Sequence, residues 1–256
     1  MNSMKTNAMD WLDEMELVFL PGLDGTGLSY GPLGEAMPEN IRVTVVHYPT
    51  DQKLSFGELV QCAHEQLPRN KPLVLIAESF SGPIAIGLAA SFPSHIKGIV
   101  FCATFMKFAR PLLIAIAKYA PLAFLLSKPA PGFLLYFLCG RKPFSDRLVP
   151  LFRQIEKLIN PEVMAHRIRM LNDIDATNDA RTLSLPCCYI QATRDKTVPA
   201  RSVVPFKKYL PDLIVKRVNG PHGILQAQPE ACAQIIMEFV KGLSESSNAN
   251  RESRNE

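Results

Sequence analysis

The sequence predicts an α/β fold: a mostly parallel, doubly wound sheet with a helical segment inserted late in the sheet. Three observations carry this. Short apolar runs alternate with helical stretches from residue 15 to residue 103 and again from 182 to 243. One apolar run, Leu73 to Ala77, is joined by a turn of a few residues to an Ala- and Gly-rich stretch, Ile84 to Ala90. Between 104 and 181 the alternation stops, and helical, often charge-free runs replace it. These limits divide the chain into a core (15–103 and 182–243), an inserted cap (104–181) and a polar tail (244–256) expected to be disordered.

Taken in order, residues 1–15 read as a loose leader. They hold Lys5 among Asp10, Asp13 and Glu14, with no apolar stretch of the kind a signal peptide needs. Met15 to Leu20 is the first strand. It leads into Pro21-Gly22-Leu23-Asp24-Gly25-Thr26-Gly27, where glycines let the backbone bring N–H groups to a ligand. No Gly-Lys-Ser/Thr follows, so a phosphate loop is not indicated. Asp24 is expected to order this loop through an Asx-type hydrogen bond.

Arg42 to His47 is the second strand. Ser55 to Leu67 is helical, with Ser55 and Glu58 at capping-box spacing. His95 to Ala103 is a fourth strand after the Leu73 run. Beyond the insertion come a strand at Leu185 to Gln191, a helix at Ala200 to Leu210, a strand at Leu213 to Val218 and a last helix at Glu230 to Leu243.

Within the insertion, Pro111 to Ala117, Tyr119 to Ser127 and Pro129 to Gly140 are charge-free. Each falls short of the roughly 18 residues a bilayer crossing requires, and Pro121, Pro129 and Pro131 interrupt them. Their apolar density exceeds what a small cap needs for its own core. Some of these side chains, Leu125, Phe133 and Phe137 among them, are therefore expected to line a substrate pocket or to meet a membrane surface.

Composition bounds the partners. A chain of 256 residues that is 47% hydrophobic can bury a sizeable core, and a net charge of +4 is too small to argue for nucleic acid. Six cysteines without a C-x-x-C read as reduced core thiols of a cytoplasmic protein. No His/Cys/Asp spacing suggests zinc.

The chemistry centres on Ala77-Glu78-Ser79-Phe80-Ser81. A Ser between small residues, at a tight strand-to-helix turn, is the pattern of a nucleophile elbow. The strained turn points the hydroxyl out of the sheet, and the helix start below it offers N–H groups to an oxyanion. An ordinary turn with Ser79 as helix cap is the plain alternative. Ser81 is a weaker candidate, because Pro83 stands where a small residue would be needed.

A Ser nucleophile requires a base and an acid that orients it. Asp195 and His222 each follow a strand, at the end of the sheet where such groups gather. The order Ser79, Asp195, His222, with Asp195-Lys196-Thr197-Val198-Pro199 and Pro221-His222-Gly223, closely resembles the α/β-hydrolase superfamily over about residues 15–243. The resemblance implies a triad of these three residues and an oxyanion hole from the backbone N–H groups of Leu23 and Phe80. It implies a carboxylesterase- or lipase-like serine hydrolase acting on apolar esters or thioesters, with no metal or cofactor. Two departures stand out: Pro21-Gly22 replaces a His-Gly common in that loop, and the elbow lacks both usual glycines. The Pro21-to-Gly27 loop also looks like that of esterases and acyltransferases acting on lipid alcohols. Acyl transfer to an alcohol, and a non-catalytic receptor on the same fold, are the alternative readings.

Overall fold

The computed structural model describes residues 15–109 and 119–252, with the side chains of 136–138 and 247–252 outside the description. The leader and the run Pro111 to Ala117 lie outside the described residues.

Six strands form one sheet: β1 (Glu16–Leu20), β2 (Arg42–Val45), β3 (Leu73–Glu78), β4 (Ile96–Cys102), β5 (Cys187–Ala192) and β6 (Ile214–Val218). Their spatial order is β2-β1-β3-β4-β5-β6, and every neighbouring pair is parallel. A parallel sheet must be covered on both faces, so its central strand should be apolar throughout. In β3 all six residues are buried. Leu73, Leu75 and Ala77 enter one apolar cluster and Val74 and Ile76 the other. Cys187 and Cys188 divide between the same two clusters, as strand alternation requires. Each fully buried Leu, Val or Ile contributes on the order of 2 kcal/mol. The edge strand β6 instead presents exposed Lys216 and Arg217, which discourages pairing with another sheet.

Helices α1 (Gly31–Ala36), α2 (Phe56–Glu65) and α3 (Ser81–Ser91) belong to the first half, and α9 (Val203–Tyr209), α10 (Ile224–Ala227) and α11 (Pro229–Glu252) to the last. The box at the start of α2 forms. Ser55 Oγ accepts from Glu58 N–H at 3.4 Å, and Glu58 Oε2 accepts from Ser55 N–H at 2.7 Å. The insertion carries α4 (Leu122–Leu126), α5 (Gly132–Cys139), α6 (Phe144–Ile155), α7 (Pro161–Met170) and α8 (Thr177–Ala180).

Two differences from expectation have local causes. Helix α1 was not anticipated: Gly31 and Gly34 make its sequence look like loop, although Pro32 sits in its first turn. The last helix does not stop at Leu243, and residues 244–252 continue it rather than forming a disordered tail. No Gly or Pro follows Leu243, Lys241 and Glu245 pair across one turn at 3.8 Å, and Ser244 is buried. All six cysteines are free and five are buried. Among the described residues, no helix is long and apolar enough to cross a membrane.

Candidate active site

The elbow is built from strain and close approach. Ser79 follows β3 directly and takes φ 50°, a left-handed conformation that costs a non-Gly residue on the order of 1 kcal/mol or more. The start of α3 holds it there. Gly82 N–H donates to Ser79 C=O at 3.3 Å, and Thr104 Oγ1 donates to the same carbonyl. A Cβ on Gly82 would overlap the Thr104 hydroxyl. The close approach that usually needs the second elbow glycine is thus supplied by Gly82, one residue further on.

Ser81 is fully buried and cannot serve as the nucleophile. Its hydroxyl bonds the Pro21 carbonyl and the Tyr48 hydroxyl, the latter at 2.6 Å. It ties the elbow to the loop after β1.

The three residues singled out in the sequence meet at the carboxyl end of the sheet. Ser79 Oγ lies 2.8 Å from His222 Nε2, and His222 Nδ1 lies 2.7 Å from Asp195 Oδ2. The other Asp195 oxygen accepts from the N–H groups of Thr197 and Val198 at 2.7 and 2.8 Å, so the carboxylate cannot rotate freely. With Nδ1–H donating to Asp195, Nε2 is left to accept the Ser79 proton. Burial alone would lower the His222 pKa. The neighbouring Asp195 carboxylate outweighs it, and the net shift is upward.

Phe80 directly follows Ser79, and Leu23 lies in the loop after β1 to which Ser81 ties the elbow. Among the described residues, neither backbone N–H donates to another group, which leaves both free for an oxyanion. The Leu23 loop is fixed from several sides. Asp24 Oδ1 accepts from Thr26 N–H at 2.8 Å, the expected Asx-type bond, and Tyr48 N–H donates to Gly25 C=O at 2.8 Å. Arg167 reaches in from α7: its guanidinium donates to the carbonyls of Leu23 (3.0 Å), Asp24 (2.9 Å) and Pro49 (2.7 Å). It is 1% exposed and sits 5.7 Å from the centre of the Tyr48 ring. None of the ion pairs among the described residues involves Arg167.

Glu78, the residue before Ser79, is buried. Gln226 Nε2, from the helix after His222, donates to both its oxygens at 2.9 and 3.1 Å. Burial pushes its carboxyl up to about 7. Glu78 therefore neither lines an open site nor solvates the turn; it links the nucleophile strand to the His222 segment. Sequence reading missed Arg167, Gln226 and Thr104. Only the Ser81-Gly82 pair carried a readable sign, a small residue displaced by one position.

The cap residues behave differently. Leu125 and Phe133 are 56% and 78% exposed, so they do not wall an enclosed pocket as expected. The Phe137 side chain lies outside the described residues. A cavity of about 410 Å³ bordered by Arg69, Leu73, Phe92 and Ile96 opens at the opposite, amino end of the strands. Among the described residues, no group of acidic, His and Cys side chains could hold a metal.

No protein-family model matches the chain. An 84-residue stretch is 33% identical to phytyl ester synthase 1, chloroplastic, of Arabidopsis thaliana. It covers 30% of this chain, which spans only 12% of that protein's length. Solved structures match far more of the chain. A lipase-esterase related protein from Clostridium acetobutylicum aligns with TM-score 0.72 at 15% identity, over 88% of this chain and 94% of its own. A bromoperoxidase from Bacillus anthracis aligns with TM-score 0.72 at 18% identity, over 89% and 92%. A carboxylesterase structure from Nitrososphaera gargenis aligns with TM-score 0.72 at 15% identity, over 92% and 93%.

Proposed function

We propose that this chain, which has the α/β-hydrolase fold, is a serine hydrolase that cleaves carboxylic esters, thioesters included, of apolar groups through an acyl-enzyme. The observation that carries the reading is the Ser79–His222–Asp195 chain, at 2.8 and 2.7 Å. Ser79 attacks the ester carbonyl as His222 takes its proton. Asp195 holds the imidazole tautomer and stabilises the imidazolium. The N–H groups of Leu23 and Phe80 receive the oxyanion. His222 then returns its proton to the departing alcohol and activates water for deacylation. The segment 104–181 acts as the cap of this site. The names of the structural neighbours, lipase-esterase and carboxylesterase, support the same reaction class.

A fluorophosphonate should label Ser79 covalently. Ser79→Ala should abolish labelling and lower kcat on p-nitrophenyl esters by on the order of 10⁴-fold or more. Labelling that persists in that variant ends the proposal. Because the base must be neutral and its pKa is raised, kcat/KM should rise with pH along a limb above the usual His value of about 6.5. Asp195→Asn should cut kcat by roughly 10²–10⁴-fold. It should also move the limb to lower pH, because the charge that does most to offset the effect of burial on His222 is then gone.

Acyl transfer to an alcohol is a second reading, favoured by the phytyl ester synthase that is 33% identical to the chain over 84 residues. The partition of a common acyl-enzyme between water and added long-chain alcohol separates the two.

A further inference from the structure

Six large apolar side chains stand in solvent within sixteen residues: Tyr119, Phe124, Leu125, Leu126, Phe133 and Leu134. They cover α4, which buries no residue, and the first turn of α5. A cluster of this size on a water-facing surface marks something that binds there. The helices have 5 and 8 residues, too short to cross a bilayer, but their aromatic and Leu side chains suit its interface.

Charge selects the partner. From Ser79 to Ser145 the sequence contains no Asp or Glu. The apolar cluster is instead flanked by exposed Lys128, Arg141 and Lys142. Lys142 is paired with Asp146 at 3.4 Å and Glu156 beside Ala130 with Arg153 at 3.1 Å, so the exposed Lys128 and Arg141 are the charges that complement an anionic lipid surface.

The cluster is also joined to the candidate active site. Helix α4 packs on α7, which carries Arg167, and Arg169 Nη2 donates to Ala120 C=O at 3.2 Å. At the far end of α5, a Cβ on Gly140 would lie 3.5 Å from Pro221, the neighbour of His222. The far end of α5 thus lies against the segment that carries His222.

We propose that α4 and the start of α5 dock the protein on an anionic membrane surface, so that the site takes its substrate from the bilayer rather than from solution. Docking goes beyond the hydrolase reading and is measured without turnover, so the two can fail separately.

The test is co-sedimentation of the full chain with vesicles of phosphatidylcholine alone or mixed with phosphatidylglycerol. Partition into the mixed vesicles should exceed that into phosphatidylcholine at least about tenfold and should weaken with salt. Lys128→Ala with Arg141→Ala should lower it about 25-fold, roughly fivefold per charge. Leu125→Asn with Phe133→Ser should lower it about tenfold or more. The melting temperature should hold in both, since all four side chains are exposed. Absence of partition at low salt overturns the proposal, as does partition that neither pair of substitutions alters. Self-association abolished by the apolar pair, without vesicle binding, also overturns it and assigns the face to a second copy of the chain.

Discussion

The two halves of the insertion between β4 and β5 are built on opposite terms. The later half, α6 to α8, returns polar groups to the core. His166 Nε2 meets Leu54 C=O at 3.0 Å, Asn160 N–H donates to Thr50 C=O at 3.1 Å, and Arg167 spends its guanidinium on three carbonyls. The earlier half gives back little. Its α4 buries nothing of its own but packs on α7, its α5 buries Leu135 and Cys139, and the turn between them is bonded at the Ala130 backbone by Arg153 of α6 and by Glu156 just after it. A segment that fixes the Leu23 loop cannot also swing as a lid, whereas the exposed face of α4 and the start of α5 can meet another surface. Reading 104–181 as one uniform cap hides this division.

The largest expected contrast comes from cutting the tied half. A buried guanidinium costs several kcal/mol in desolvation, and its bonds to Leu23 and Asp24 fix the peptide plane next to the Leu23 N–H. In Arg167→Met three half-buried carbonyls lose their donor, at about 1 kcal/mol each. Stability should fall by about 3 kcal/mol or more and the melting temperature by roughly 5–10 °C. If the loop is a working oxyanion hole, kcat should also fall about 10²-fold with KM within about twofold. Affinity for a trifluoromethyl ketone should fall in parallel. A lower melting temperature with kcat and ketone affinity unchanged would reduce Arg167 to a structural tie.

Glu78 gives a smaller effect and a different observable. Its carboxyl is raised to about 7 in the folded chain, against an unfolded value near 4.3. Between these values the folded state binds the proton more tightly than the unfolded state does. The contribution is therefore complete below about pH 4 and is lost as pH rises through 7, by about 4 kcal/mol at most. Tyr30, Asp24, Cys102, Cys232 and His222 face this group. Glu78→Gln should flatten the decline in melting temperature between pH 5 and 8. An unflattened decline would assign it to His222 or another of these neighbours.

What the sequence made legible follows the same division. Ser79, Asp195 and His222 were readable because each ends a strand and carries its own local signal: the small residues of the turn, the Asp before Val198-Pro199, the His before Gly223. The strands were readable because burial on both faces forces continuous apolar runs. Arg167 left no sign, because its partners are backbone carbonyls more than a hundred positions away, which any residues could supply. Gln226 was silent because its partner depends on how α10 meets β3. Exposure in α4 was illegible for another reason: apolar residues at helical spacing look the same whether they face a pocket, a core or solvent.

The smallest effect tests the exposed half against the pocket it was first expected to form. Leu125→Asn and Phe133→Ser remove side chains that already stand in water. The melting temperature should move by no more than about 1 °C, since surface substitutions change stability within about 0.5 kcal/mol. Against soluble p-nitrophenyl esters, kcat/KM should stay within about twofold at every acyl length, because no enclosed contact is lost. An acyl pocket would respond otherwise: each methylene in such a pocket is worth about 1–3 kcal/mol, so both substitutions would flatten the rise from acetyl to medium-chain esters. A flattened profile in solution would mean that α4 and α5 fold over Ser79 when substrate is bound. The contrast between the two halves would then describe only the empty enzyme.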